Sequence, residues 1–323
     1  MDAERFTQAT KFMHEQTQLA KLRRAVIARL AHFGAAPLLP RNSLNKAEHA
    51  ALALKTHLTS AKGNPITTFA IPLVGAHQVS DWAVIEETLE RSLRALIAQS
   101  DPNWRAVICS QTRPDAITLD PRITHLPFDQ NIDGHDKVAK LQSLARHCLT
   151  DTAKPGFFMP LDGDDLLHRD FTIDLHAQPD KGLLVCAGYM VNAGTGHVAE
   201  TQNRSLRALG QKPFWKFCGS CMALPVGGAP AAETAFFQAL AEHEHRLYPY
   251  LAELAGFTLE RSTAARALYV INHGENFESR RGRGGFKQRF IERFTVTDHE
   301  QLSQLTIDFP GSSALVSPRK ADL

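Results

Sequence analysis

Phe157-Phe158-Met159-Pro160-Leu161-Asp162-Gly163-Asp164-Asp165-Leu166-Leu167 is an apolar run interrupted by three carboxylates within four residues. The apolar part reads as a short buried strand, which leaves the carboxylates at its C-terminal end. In an open α/β sheet that end is where ligands bind. Carboxylates crowded together repel one another, and a cation removes that cost. Mg²⁺ and Mn²⁺ prefer oxygen ligands and usually arrive with phosphates. A strand ending in Asp-x-Asp therefore points to a metal that holds a diphosphate. A polar strand–helix turn, with Asp164 or Asp165 as helix cap, accounts for the same residues without a metal.

Upstream, Ile66–Val74 is a β-rich run followed by a helical pattern over 81–99, with Val84, Ile85, Leu89, Leu93, Leu96 and Ile97 on one face. Trp104–Ser110 reads as a second buried strand, Ile123–Leu126 as a third, and 136–149 as a helix leading to the Asp-rich strand. Beyond it, 170–178 has a helical pattern and 182–191 a strand pattern. This alternation predicts an α/β fold, a mostly parallel sheet flanked by helices. Helical spacing over 2–34 (Phe6, Phe12, Met13, Leu19, Leu22, Val26) and over 43–59, the latter capped by Ser43 or Asn45, predicts an N-terminal helical arm over 1–62. On the C-terminal side, 231–255 reads as one long helix, 267–271 as a short strand, and the tail beyond about 297 carries little signal.

The chain has 323 residues and 43% apolar content, enough for a substantial core, and its net charge of +2 gives no global footprint for nucleic acid. No run reaches the roughly 18 apolar residues of a membrane helix. The polar start Met1-Asp2-Ala3-Glu4-Arg5 is unlike a secretory signal, and the five scattered cysteines fit reduced thiols, so a cytoplasmic protein is expected. Cys218-Gly219-Ser220-Cys221 has redox or zinc spacing, but no second pair completes a zinc site.

The order of these features resembles a nucleotide-sugar-dependent glycosyltransferase of the GT-A fold, close to the bacterial family 2 type. The resemblance rests on Thr67–Val74, on Ala106–Ser110 followed by Asp115, on Asp162-Gly163-Asp164-Asp165 in the place of the family's Asp-x-Asp, and on Asn272-His273-Gly274-Glu275-Asn276. It covers roughly 66–280 and implies a GT-A domain over 63–280, with a basic loop and tail over 281–323. It implies a nucleoside diphosphate sugar as donor, a saccharide or other envelope glycan as acceptor, and Mn²⁺ or Mg²⁺ to carry the leaving diphosphate's charge. Asp164, Asp162, Asp165 and His273 are the candidate metal ligands. Pro72, Val74, Asp115, Lys140 (or its neighbour Lys137), Asp162 and Asp164 are the candidate donor contacts.

Acceptor activation in an inverting enzyme needs a general base. The family's acidic pair falls on Glu244-His245, so Glu244, then Glu242, or His245 in the place of an Asp, are the candidates. Solvated helix-face ion pairs such as Glu242 with Arg246 explain the same residues. Trp215, in an aromatic run, is a candidate acceptor platform or a core residue. Arg280–Arg289 is basic and Gly-rich, which suits a lid over an anion or an ordinary solvated loop. A sugar nucleotidyltransferase would want Lys or Arg in 75–80, where there is none. A non-catalytic nucleotide- or saccharide-binding module of the same fold, and a homodimer through the N-terminal helices, stay open.

Overall fold

The computed structural model describes residues 16–35, 39–57, 63–130, 132, 136–150, 155–204, 209–275 and 284–316. Thr67 to Ile71 of β1 (Ile66–Pro72) are buried at every position, the pattern of a strand covered on both faces. On one side β1 pairs in parallel with β2 (Trp104–Ser110), which pairs in parallel with β3 (Ile123–Pro127). On the other side it pairs in parallel with β4 (Gly156–Pro160), whose Phe157 lies opposite Thr67. β9 (Met222–Val226) runs antiparallel against β4 and against β6 (Gly182–Leu184), and β10 (Leu259–Arg261) closes the edge in parallel with β6. Among the described residues this gives a seven-stranded, mostly parallel sheet in the order β10-β6-β9-β4-β1-β2-β3.

Chain order runs from β1 outward to β2 and β3, then returns past β1 to β4. The direction of winding therefore reverses between β1 and β4. At such a switch point the connecting segments leave in opposite directions and open a crevice beyond the strand ends. The Asp-rich turn lies there.

Helices flank the sheet, as expected for an α/β chain. α3 (Trp82–Ile97) is capped by Asp81 and buries Ile85, Leu89, Leu93 and Leu96. α4 (Lys137–Leu149) packs on β1 and β2. A second, four-stranded sheet has the order β5-β11-β7-β8, with β5 Leu166–Leu167, β7 Ala187–Asn192, β8 Val198–Thr201 and β11 Ala265–Ile271. It carries β11 past the crevice.

Several expectations need correction. The helical pattern over 2–34 is present as α1 (Gln18–His32), its first part lying outside the described residues. The second N-terminal helix is the shorter α2 (Lys46–Lys55), and Asn45 rather than Ser43 caps it in a reciprocal box with Glu48. The helix after the Asp-rich turn is α5 (Phe171–His176); its N-cap residue is Asp170, not Asp164 or Asp165.

The long pattern over 231–255 breaks into α6 (Pro230–Leu240), a single tight turn at His245–Leu247, and α7 (Tyr248–Leu254). Pro249 in the first turn of α7 suits a helix start rather than a helix middle. The low-signal tail holds α9 (His299–Asp308), capped by Asp298, and α10 (Ser313–Val316). Of the basic stretch, Arg280–Arg283 lie outside the described residues; the remainder opens α8 (Gly284–Arg293), a helix rather than a loop.

Ala47, Ala51 and Leu54 of α2, with Ile27 and Ala31 of α1, belong to the same buried cluster as the central sheet.

Candidate functional site

Beyond Pro160 the chain turns tightly, the Asp165 N–H donating to the Asp162 carbonyl at 3.2 Å. The three carboxylates then diverge to three different partners. Asp162 is part-exposed, and its Oδ1 lies 2.5 Å from the Lys137 ammonium at the start of α4. Asp164 Oδ2 lies 3.0 Å from His273 Nε2, from the segment after β11. Asp165 is fully buried, and its Oδ2 accepts hydrogen bonds from Ser220 Oγ at 2.6 Å and Cys218 Sγ at 2.9 Å. Its Oδ1 is buried with no hydrogen-bond partner.

Two features hold this turn from outside. Ser220 Oγ also accepts the Asp162 N–H at 2.9 Å, so the loop before β9 clasps the turn at both ends. Gly219, beside Ser220, faces the site: a Cβ there would make ordinary contact, 3.6 Å from Asp162 Oδ2 and 3.8 Å from Lys137 Nζ. On the opposite side, Asn272 takes a left-handed backbone (φ 58°), a conformation that Asn tolerates better than most residues. It turns the chain out of β11, and His273 then reaches Asp164. Glu275 Oε1 accepts from the N–H groups of Ser80 and Asp81, each at 3.1 Å, tying this segment to the start of α3.

The electrostatics follow from the burial. Loss of water around Asp165, with the charges of Asp164 and Asp162 adjacent, raises its pKa well above the usual carboxylate range. Burial also works against the Lys137 ammonium, but Asp162 in contact and Asp164 nearby outweigh it and raise its pKa. Burial, Asp165 and Asp162 push the Cys218 thiol up, so it is a hydrogen-bond donor and not a nucleophile. All five cysteines are free and buried, Cys218 and Cys221 included.

The other expected residues fall in different places. Lys140 is wholly buried behind the crevice, its ammonium held by Asp136 and the Leu73 carbonyl, each at 2.6 Å. Lys137, one turn earlier, is the lysine that meets the Asp-rich turn. Pro72 and Val74 are half-buried at the end of β1. Asp115 is exposed in a short turn, and its N–H donates to Glu86.

Glu242 pairs with Lys46 at 2.6 Å, and Gln142 also donates to it. Glu244 pairs with Arg246 at 3.1 Å and accepts from Gln16 at 3.5 Å. Both glutamates therefore serve contacts that include the N-terminal helical region, and the expected Glu242–Arg246 pair is replaced by Glu244–Arg246. His245 turns the other way. Burial, with the charges of Arg246 and Lys287 and the more distant Lys137, pushes its imidazole down to about 3 despite a hydrogen bond to the Lys216 carbonyl. Its Nε2 is buried with no hydrogen-bond partner. Trp215 is half-buried with Lys216 over its ring at 5.2 Å.

Among the described residues, no group of three or more His, Cys, Asp and Glu side chains is arranged to hold a metal ion. Asp164 and His273 supply one oxygen and one imidazole nitrogen directed at each other. Two protein donors suit a divalent ion whose remaining ligands are waters and phosphate oxygens, so the residues fit such an ion in that form.

Ser220 and Cys218 were not legible as partners of Asp165, since they lie more than fifty residues away in sequence and the Cys-x-x-Cys spacing around them points to redox or zinc chemistry instead. No helix among the described residues is long and apolar enough to cross a membrane. No family model and no curated protein matches the chain. Among solved structures, the glycosyltransferase GlyE of Streptococcus pneumoniae TIGR4 is similar at a TM-score of 0.34 and 12% identity, over 72% of this chain and 52% of that one. This chain thus spans about half the length of that protein.

Proposed function

We propose that the chain is a GT-A-type glycosyltransferase that moves a sugar from a nucleoside diphosphate donor to a saccharide or other glycan acceptor. The observation that carries this reading is the Asp162–Asp165 turn, placed at the switch point between β1 and β4 with Lys137 and His273 on it. Nucleotides bind in that crevice in open α/β sheets generally.

In this reading Asp164 and His273 hold Mn²⁺ or Mg²⁺, which supplies positive charge to the departing diphosphate when bound. Lys137 adds a second positive charge beside the diphosphate and pairs with Asp162. Asp162 turns toward the donor's ribose, Pro72 and Val74 border the base, and Trp215 offers an aromatic face to the acceptor. His245 takes the acceptor proton, in place of Glu244 and Glu242, which are engaged elsewhere. Burial is the main cause that holds the imidazole down, with the charges of Arg246, Lys287 and Lys137 added to it, and a diphosphate beside these cations would offset their share and raise the basicity of His245.

One observation favours a second reading. Lys137 already neutralises Asp162, so the site would bind a nucleoside diphosphate without a metal. Calorimetric titration with UDP, GDP and dTDP, with and without Mn²⁺, separates the two. Metal-dependent binding of one nucleotide, lost in Asp164→Ala, is the expected result. Metal-independent binding that needs Lys137 supports the second reading, and absence of nucleotide binding by folded protein removes both.

A further inference from the structure

The outer face of α1 bears no relation to the crevice. Its inner face is fully used: Ile27 and Ala31 are buried, Arg23 pairs with Glu48 at 2.7 Å, and Arg24 lies over the Tyr250 ring at 5.9 Å. The outer face carries Leu19, Leu22 and Val26, with Phe33 at the C-cap, exposed to 80%, 64%, 50% and 71%. Steps of three, four and seven residues place these four on one side of a helix of 3.6 residues per turn. They account for four of the ten large apolar side chains exposed among the described residues, three on a fifteen-residue helix and the fourth at its C-cap.

The charges on the same helix decide what covers that stripe. Gln18–His32 contains Lys21, Arg23, Arg24 and Arg29 and no Asp or Glu. Arg23 and Arg24 are engaged by Glu48 and the Tyr250 ring, while Lys21 and Arg29 are exposed on one flank of the apolar stripe. A second copy of this helix would bring like charges together with no carboxylate on either helix to offset them. A surface that is apolar below and negative above matches both features: leucine, valine and phenylalanine enter the acyl boundary while Lys and Arg meet anionic headgroups.

We infer that α1 is a membrane-surface helix, which lays Leu19, Leu22, Val26 and Phe33 into an anionic bilayer while Lys21 and Arg29 contact its headgroups. The helix lies in the interface plane and does not span it, as its fifteen residues are too few to cross. The assignment stands whether or not the crevice transfers sugars.

The test is co-sedimentation of the full chain with vesicles of phosphatidylcholine alone and of phosphatidylcholine mixed with phosphatidylglycerol. Wild type is expected to pellet with the mixed vesicles, less so at high salt, and to stay in solution with the neutral ones. Leu22→Gln with Val26→Gln removes apolar side chains from the outer face only and keeps good helix formers, so circular dichroism should be unchanged while the bound fraction falls about tenfold or more. Lys21→Gln with Arg29→Gln should weaken binding to mixed vesicles and remove its salt dependence. Three outcomes overturn the inference: no binding of folded wild type, equal binding to both vesicles, or a wild-type dimer in sedimentation that the Leu22→Gln, Val26→Gln variant makes monomeric.

Discussion

Lys137 and Lys140 lie three residues apart on α4, yet their environments differ completely. Lys140 has no exposed side-chain surface and pairs with Asp136, whose carboxylate also accepts from Gln111 at 2.9 Å. Burial is the largest influence on it and lowers its pKa, against the opposing pull of Asp136. A buried pair of this kind costs much to break and little to replace whole. Lys140→Met should therefore lose about 3 kcal/mol or more in urea unfolding, and Lys140→Met with Asp136→Leu should recover most of it. Lys137 is about a third exposed, so Lys137→Met should change stability by no more than about 1 kcal/mol while weakening nucleotide binding. Equal stability loss in the two single variants would contradict this division of roles.

At the scale of elements, Glu48 joins three helices. It closes the capping box of α2, pairs bidentately with Arg23 of α1 at 2.7 Å through each oxygen, and accepts from the Tyr250 hydroxyl of α7 at 2.9 Å. Its burial alone would raise its pKa, but the Arg23, Asn45 and Tyr250 hydrogen bonds outweigh this and lower it. A carboxylate depressed in the native state adds stability above its unfolded pKa, and that stability is lost as pH falls through the native value. Wild type should accordingly lose stability between about pH 5 and pH 3 more steeply than Glu48→Gln. Thermal melts across that range check the slope; parallel curves would show that Glu48 titrates as in the unfolded chain.

At the scale of the molecule, the N-terminal helices belong to the folded core. α2 packs on α6 and α7, and its buried side chains join the cluster that runs under the sheet. Deleting residues 1–57 removes Ile27, Ala31, Ala47, Ala51 and Leu54 from that cluster, a loss on the order of 5 kcal/mol from apolar burial alone. The truncated chain should be insoluble, or should melt at least about 10 °C lower. A soluble fragment with unchanged melting temperature would establish a separate arm instead.

The sequence by itself determined the α/β class, the strands β1 to β4, the helices α3 and α4, and the location of the carboxylates at the end of β4. Each of these is written in a local period of apolar residues or in the residues that interrupt it. The tertiary structure decided the antiparallel insertion of β9 and the second sheet. It also decided the break between α6 and α7 that turns Glu242 and Glu244 outward and His245 inward. It selected Lys137 over Lys140 as the cation of the turn, and set Ser220 and Cys218 on Asp165. These choices depend on contacts between segments far apart in the chain, and a side chain's partner across such a distance leaves no periodicity to read.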